Sequence, residues 1–157
     1  MLRFFPVSLL LISLICTPAM AKRAESSWLT AEIPDNWDSQ ERRGVFLIGN
    51  GPIGSGSNLI EILTESGRSE SLDALVREHG TDFTFVSLAN GRVIGFAHAS
   101  GRTLAAKGNK GLYIEISVEP TLFPNAPAII KSLKANDKDL EPALSLLARD
   151  DVLSFLR

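Results

Sequence analysis

A glycine-rich segment is the part of the sequence whose residue spacing most resembles a chemical motif. Residues 49–54 have the sequence Gly-Asn-Gly-Pro-Ile-Gly and follow an apolar run, which is the glycine spacing of a turn that binds a dinucleotide. In such a site the last glycine opens a helix whose N-terminus holds the pyrophosphate. Here a short apolar run with poor helix composition follows, and no strand–helix–strand repeat is present. A hairpin loop is preferred, and a nucleotide or other small ligand bound by residues 49–57 is the alternative.

Two histidines and one pair of carboxylates could support acid–base or metal chemistry. His79 and His98 have no second ligand at a spacing typical of metal sites, so packing or capping roles are preferred. Glu115 and Glu119 lie four residues apart on the outward face of a predicted strand, where a solvated surface is favoured over catalysis. Hydrolysis through His98 or Glu115 is a third hypothesis. We therefore predict no catalytic residues, no metal and no cofactor, and a non-enzyme is preferred.

The N-terminal segment has the organisation of an export signal. An arginine precedes an apolar run over residues 4–15, and Ala-Met-Ala at 19–21 forms a small-x-small cleavage signal. The run is too short to span a bilayer comfortably, and lipidation at Cys16 is rejected because bulky residues precede it. We predict cleavage after Ala21, a single domain over residues 22–157 and a periplasmic location.

Composition limits the function of the remaining domain. From residue 22 onward the chain has 15 basic and 18 acidic residues, a net charge of −3, and no cysteine, because the only one is Cys16. A chain of this length can bury a sufficient core without disulfides. The acidic balance, with no stripe of Lys and Arg, argues against nucleic acid. We expect no transmembrane span after the signal.

A predicted hairpin is the segment around which the other elements are organised. Two β-prone runs flank the dipeptide Asn-Gly at 90–91, the strongest short-range signal for a two-residue turn. That turn fixes the register, so Phe85 should face Phe96, and Phe83 should face His98. Both faces of the hairpin are apolar, which predicts a central position with cover on both sides.

Hydrophobic periodicity predicts the other elements. Strands are expected at 28–33, 44–48, 58–64 and 111–118, helices at 71–79 and after 125, 137 and 150, a charged connection at 38–43 and a long polar loop at 100–111. Strict alternation leaves Tyr113, Glu115 and Ser117 facing outward. We therefore expect this strand to lie nearer an edge of the sheet than the hairpin does.

Residues 33–37, Ile-Pro-Asp-Asn-Trp, follow the first of these strands and resemble the Ile-Pro-x-x-Trp turn common in the PsbP-like and DcrB-like superfamily. The order of predicted elements is also similar over most of the chain from residue 22. The resemblance implies a single α+β domain whose antiparallel β-sheet is covered by helices on both faces, an α/β/α sandwich. It also implies a non-catalytic module that binds or helps to assemble other proteins, and it transfers no catalytic residues.

The leading functional hypothesis is an exported periplasmic module that binds an envelope protein or assists assembly at the cell envelope. Two long loops, residues 49–57 and 100–111, are the expected contact region because loops on a rigid scaffold often carry recognition. The candidate interaction surface comprises Gly49, Asn50, Gly51, Gly54, Lys107, Asn109, Lys110, Tyr113 and Glu115. The sequence identifies neither the partner nor the oligomeric state.

Overall fold

Two antiparallel sheets and a C-terminal group of helices appear in the computed structural model, which describes residues 20–54, 58–66, 72–78 and 83–157. The strands within these residues are β1 (Met20–Glu25), β2 (Leu29–Pro34), β3 (Asp38–Arg42), β4 (Val45–Gly49), β5 (Leu59–Glu65), β6 (Thr84–Leu88), β7 (Val93–His98), β8 (Gly101–Lys107), β9 (Tyr113–Val118) and β10 (Lys134–Ala135). The helices are α1 (Leu72–Glu78), α2 (Ala126–Ser132), α3 (Glu141–Leu147) and α4 (Asp150–Leu153). Short 3-10 turns occur at Pro120–Leu122, Lys138–Leu140 and Ser154–Leu156.

The larger sheet has seven strands in the order β3-β4-β5-β9-β8-β7-β6, and the smaller sheet has three in the order β1-β2-β10. Neighbouring strands pair antiparallel throughout both sheets. Ile62 of β5 faces Ile116 of β9, Ile116 faces Leu104 of β8, and Leu104 faces Gly95 of β7. Side chains from successive strands therefore line up in rows across the sheet, and β9 is the middle strand.

The inner face of the seven-stranded sheet carries the main hydrophobic core. Alternate residues of its strands, such as Ile60 and Ile116, are fully buried there. They belong to one cluster with Ile33 of β2, Ile130 of α2 and Leu147 of α3. The inner face is thus covered jointly by the small sheet and the C-terminal helices.

The outer face of the seven-stranded sheet has a smaller core. Its buried members are Ile94, Phe96, Ala105 and Tyr113. Leu72 and Val76 of α1 pack against this cluster together with Phe85. Since α1 has only seven residues, it covers part of the outer face.

The predicted α/β/α sandwich is wrong. Strands make up 44% of the structure and helices 26%, and the fold is built on two antiparallel sheets with short helices. Two segments account for much of the difference, because residues 38–43 and 100–111 were expected to be irregular but contain β3 and β8. β3 is an edge strand with mostly exposed charged residues, and β8 is held by ladders to neighbours on both sides. Neither situation produces the alternating apolar pattern by which a half-buried strand is recognised.

The predicted hairpin has the expected register but not the expected position. Phe85 faces Phe96 in the ladder of β6 and β7, and the rings of Phe83 and His98 lie 5.6 Å apart. However, β6 is an edge of the large sheet and β9 is its centre, which reverses the predicted order. The positions of the hairpin and of β9 were both predicted on the assumption that the more apolar strand lies nearer the centre. That assumption fails, because the apolar Val86 lies on the edge strand β6 and is 37% exposed.

Several other predicted elements are confirmed. Strands lie close to the predicted bounds in β2, β4, β5 and β9, and the helices α1, α2, α3 and α4 follow the predicted starts. Trp37, which follows the turn after β2, is buried in the main core. Among the described residues, no helix has the length and apolar character needed to cross a membrane. Predictions for residues 1–19, 55–57, 71 and 79 lie outside the described residues.

Candidate functional site

The glycine-rich segment is a connection between antiparallel strands. Gly49 is the last residue of β4 and pairs with Leu59 of β5. A Cβ atom on Gly49 would lie 2.9 Å from Cδ2 of Leu59 and 3.0 Å from Cδ1 of Ile53, so this glycine allows close packing. The next element after the segment is a strand, and not the helix whose N-terminus would hold a pyrophosphate. Asn50 is exposed and Gly54 has a φ of 100°, both typical of a hairpin connection.

The segment between β8 and β9 is attached to the C-terminal region. The backbone N–H of Asn109 donates to the carbonyl oxygen of Asp139 at 2.7 Å. The ammonium of Lys110 lies 2.8 Å from the Asp139 carboxylate, and this hydrogen bond raises the pKa of Lys110. A Cβ atom on Gly108 would collide with the same carbonyl oxygen. Lys110 therefore neutralises a carboxylate of its own chain.

The predicted interaction surface is divided between opposite ends of the sheet. Gly49 lies beside Leu59, near the end where β9 finishes at Val118. Lys107 faces Tyr113 at the other end of β9. The candidate residues Gly49 and Lys107, one from each predicted loop, therefore lie at opposite ends of the sheet, although Ser100 at the start of the second loop lies at the same end as Leu59.

Tyr113 and Glu115 are adjacent on the outer face. The phenol of Tyr113 donates to Oε2 of Glu115 at 2.7 Å. The expectation that Tyr113 faces solvent is wrong, since it is 1% exposed and belongs to the outer cluster, against which α1 packs. Glu115 remains half-buried beside a depression in the sheet.

That depression is one of two that meet on the outer face and share His98 and Ser117. Their volumes are about 500 and 170 Å³. We call the combined feature the outer groove. Its polar and aromatic lining comprises Glu61, Phe83, Phe96, His98, Ser100, Thr103, Glu115, Ser117 and Glu119.

Strand pairing arranges three carboxylates around Ser117. Glu61 of β5 lies directly opposite Ser117, and Glu115 precedes Ser117 by two residues on the same face of β9. Glu119 follows by two residues and also lines the outer groove. Glu61 is a diagonal neighbour of both Glu115 and Glu119, and such neighbours lie roughly 7–8 Å apart, within the screening length of physiological salt. Glu115 and Glu119 are four residues apart, roughly 13 Å along the chain. Repulsion between Glu61 and each of the other two carboxylates favours a positively charged group near Ser117.

Hydroxyl groups form the floor of the outer groove. Thr103 Oγ1 and Ser117 Oγ are 2.8 Å apart across β8 and β9. At the rim, His98 Nδ1 and Ser100 Oγ are 2.7 Å apart. A nucleophilic serine requires a histidine that a third group orients in turn, and no carboxylate of the described residues bonds to His98. The pair therefore has the geometry of a local turn contact.

Aromatic rings form one wall of the outer groove. Phe83 lies edge-on to His98, and Phe85 lies edge-on to Phe96 with ring centroids 5.1 Å apart. Such pairs add about 0.5–1.5 kcal/mol beyond their buried area. No Lys or Arg lines either depression in the described part of the chain, and that part holds no group of three His, Cys, Asp or Glu side chains able to bind a metal. The outer groove is thus acidic on one side and aromatic on the other.

Sequence reasoning found His98 and Glu115 but missed most of the outer groove. Glu61 and Thr103 join the site only because β5 and β8 both pair with β9. The sequence predicts a loop at 100–111 and gives no sign that Thr103 pairs with Ser117. Glu61 also occurs in an apolar run with no local signal of function.

Comparison with known proteins gives limited information. The chain matches no protein-family model, and no curated protein matches it. It is similar to a crystal structure at 1.50 Å resolution from Bacteroides thetaiotaomicron VPI-5482, with 16% sequence identity and a TM-score of 0.43, over 76% of this chain and 50% of that chain. This chain therefore spans about half the length of that protein. The resemblance to the PsbP-like and DcrB-like superfamily stays a prediction.

Proposed function

We propose that this chain is an exported, non-catalytic module that binds a protein at the cell envelope, and that the outer groove receives a Lys- or Arg-bearing segment of that partner. The observation that carries the proposal is the arrangement of Glu61, Glu115 and Glu119 around Ser117, with no Lys or Arg lining the outer groove among the described residues. The export signal predicted over residues 1–21 supports the location.

The chemistry of the lining favours a cationic side chain with an apolar stem. The carboxylates attract the charged end, although each exposed ion pair contributes only about 0.2–1 kcal/mol. The half-buried Phe83 offers ring surface to the stem, and a cation over a ring adds about 0.5–1 kcal/mol at an exposed site. Each of these contributions to the binding free energy is small, so useful affinity requires several contacts along an extended segment.

The same lining disfavours the nucleotide alternative. Phosphates are anionic, and carboxylates such as Glu61 and Glu119 repel them. The glycine-rich segment, whose spacing resembles a phosphate-binding turn, has the strand β5 and not a helix as its next described element. Thermal unfolding with added nucleotide tests this alternative directly, because a ligand at one hundred times its Kd stabilises a protein by about 2.7 kcal/mol. We expect no stabilisation.

The proposal is tested by cross-linking in cells with matched charge variants. A photoreactive residue replaces Ser100, which is exposed at the rim of the outer groove. The variant Glu61→Gln/Glu119→Gln removes two charges from the outer groove. The control Glu32→Gln/Glu141→Gln removes two charges from exposed positions elsewhere. We expect one dominant cross-linked protein that is lost in the first variant and kept in the control.

The identity of the captured segment decides the outcome. A cross-linked peptide that carries Lys or Arg beside the photoreactive residue supports the proposal. A cross-link that persists when Glu61 and Glu119 are neutralised contradicts it, as does a captured segment that is acidic. Absence of any cross-link above background also contradicts protein binding at this face.

A further inference from the structure

The free edge of β6 has the properties of a surface that pairs with another strand. β6 is the last strand of the seven-stranded sheet, and its far edge has no strand partner among the described residues. An unpaired edge presents backbone N–H and C=O groups that can bond to a further strand. Val86, at the centre of β6, is 37% exposed, the one large hydrophobic side chain so exposed in the described part.

The opposite edge of the same sheet is protected. β3 has the sequence Asp-Ser-Gln-Glu-Arg, and charged side chains are a common device against edge pairing. β6 has the sequence Thr-Phe-Val-Ser-Leu, with no charge and no proline. Two edges of one sheet thus differ in the feature that controls strand addition.

We propose that β6 pairs antiparallel with β6 of a second copy of this chain, about a two-fold axis at Val86. This inference does not depend on the outer groove. In that register Val86 faces Val86 of the other copy, Phe85 faces Ser87, and Thr84 faces Leu88. An interface related by a two-fold axis must be complementary to itself, and these pairs bring no like charges together. The two sheets then join into one continuous sheet.

The size of the interface sets the expected affinity. A ladder of five residues on each side buries less surface than most stable dimers, whose interfaces usually bury about 1,200–2,000 Å². The pairing should therefore be weak and dependent on concentration, with a Kd in the micromolar range or above. Sedimentation must accordingly extend to several hundred micromolar protein.

Single cysteines test the register. The chain from residue 22 contains no cysteine, so each introduced thiol is unique. In the proposed register Val86→Cys places two thiols on directly opposite residues, with Cα atoms about 4.5–5.5 Å apart, inside the range of about 4.4–6.8 Å that a disulfide spans. Thr84→Cys places its two thiols roughly 13 Å apart along the strands, too far for a disulfide. Gln40→Cys, exposed on β3, is the control for the protected edge.

We expect disulfide-linked dimer to form about tenfold faster for Val86→Cys than for Thr84→Cys or Gln40→Cys, because only the first meets the distance requirement. The unmodified chain should sediment as a reversible monomer–dimer system, and Val86→Lys should be monomeric with unchanged circular dichroism. Equal cross-linking at positions 84 and 86 would overturn the register. A strictly monomeric unmodified chain at several hundred micromolar would overturn the dimer, whatever the variants do.

Discussion

The turn between β6 and β7 depends on backbone torsions that most side chains disfavour. Gly91 has a φ of 80°, and Asn90 has a φ of 57°. A β-branched residue tolerates such torsions poorly because its Cβ substituents meet the backbone. We expect Gly91→Val to lower the free energy of unfolding by about 1–3 kcal/mol. Urea denaturation followed by circular dichroism measures this loss.

Gly91→Asn is the matched control for this prediction. Asparagine enters the left-handed region more readily than other residues with a side chain, so this variant should keep most of the stability. A Cβ at position 91 meets only Ser87 Oγ, at an ordinary contact distance of 3.8 Å. A difference in stability between the two variants is therefore caused by the backbone torsion and not by a clash of the Cβ atom. If Gly91→Val is as stable as the parent, then the positive φ at this position is incorrect.

The backbone preferences of individual residues explain which features of the turn could be predicted from the sequence. The Asn-Gly pair at 90–91 is recognisable because each residue favours positive φ by itself. Ala89 also has a positive φ, of 49°, and no preference of alanine indicates this. It follows from the pairing of Leu88 with Val93, which leaves residues 89–92 to close the hairpin. The outer groove was missed for the same reason, since Glu61 and Ser117 meet only through the pairing of β5 with β9.

At the scale of elements, the 3-10 turn at Ser154–Leu156, which we call the C-terminal turn, packs closely on β7. The guanidinium of Arg102 lies over the rings of Phe123 and Phe155, at 5.0 and 5.6 Å from their centroids. It also donates to the carbonyl oxygens of Phe155 and Arg157. The ring of Phe155 lies over Gly95, where an added Cβ would be 2.8 Å from Cε1. Glycine at position 95 therefore makes room for the turn.

Gly95→Ala should destabilise the protein by forcing this ring away. Overpacking of this kind costs about 1–3 kcal/mol. Phe155→Leu removes the ring, so the double variant should lose at least about 0.5 kcal/mol less than the sum of the two single variants. The measurement is the free energy of unfolding of all four proteins in a double-mutant cycle. Strictly additive losses would show that the C-terminal turn does not contact Gly95.

Gly51→Ala is the control for the loss of stability expected of Gly95→Ala. An added Cβ at Gly51 has no atom within 4 Å, and its φ is not positive. This variant should match the parent or exceed its stability slightly, because alanine restricts the unfolded chain more than glycine. A loss as large as that of Gly95→Ala would show that the cost is not caused by contact with Phe155.

Elements could be predicted where their own residues carry the pattern. β5 and β9 alternate, and α2 has an apolar stripe, so each was recognisable from sequence. The position of β9 at the centre was not, because Glu115 and Ser117 suggested an exposed face. Those polar residues belong to the outer groove, and α1 covers another part of the outer face, over Tyr113 and its cluster. Polarity on a central strand therefore marks the candidate site here.

At the scale of the whole molecule, the small sheet depends on an N-terminal strand that overlaps the predicted cleavage signal. β1 begins at Met20, but its register against β2 is irregular between Met20 and Lys22 and regular from Lys22 to Glu25. Ala24 is 2% exposed in the main core, and Lys22 Nζ donates to the carbonyl oxygen of Trp37 at 3.2 Å. Cleavage after Ala21 would thus leave the regular part of β1 intact.

We therefore expect chains that begin at Lys22 and at Met20 to have the same melting temperature, and a chain that begins at Leu29 to melt lower. The last chain lacks β1, so it loses several ladder hydrogen bonds of about 0.5–1.5 kcal/mol each and uncovers one edge of β2. A loss of about 2 kcal/mol corresponds to roughly 5–10 °C for a domain of this size. Calorimetry of the three chains measures the difference.

N-terminal sequencing of the protein recovered from cells tests the predicted cleavage after Ala21 and relates it to this stability. Cleavage after Ala21 yields Lys22 as the first residue and retains the strand that completes the cover of the inner face. Cleavage beyond Glu25 would remove β1. It would contradict the predicted cleavage site, and it would mean that the processed protein lacks the three-stranded sheet. Because β2 would then lose a paired edge beside the main core, such a product should also share the lower melting temperature of the chain that begins at Leu29.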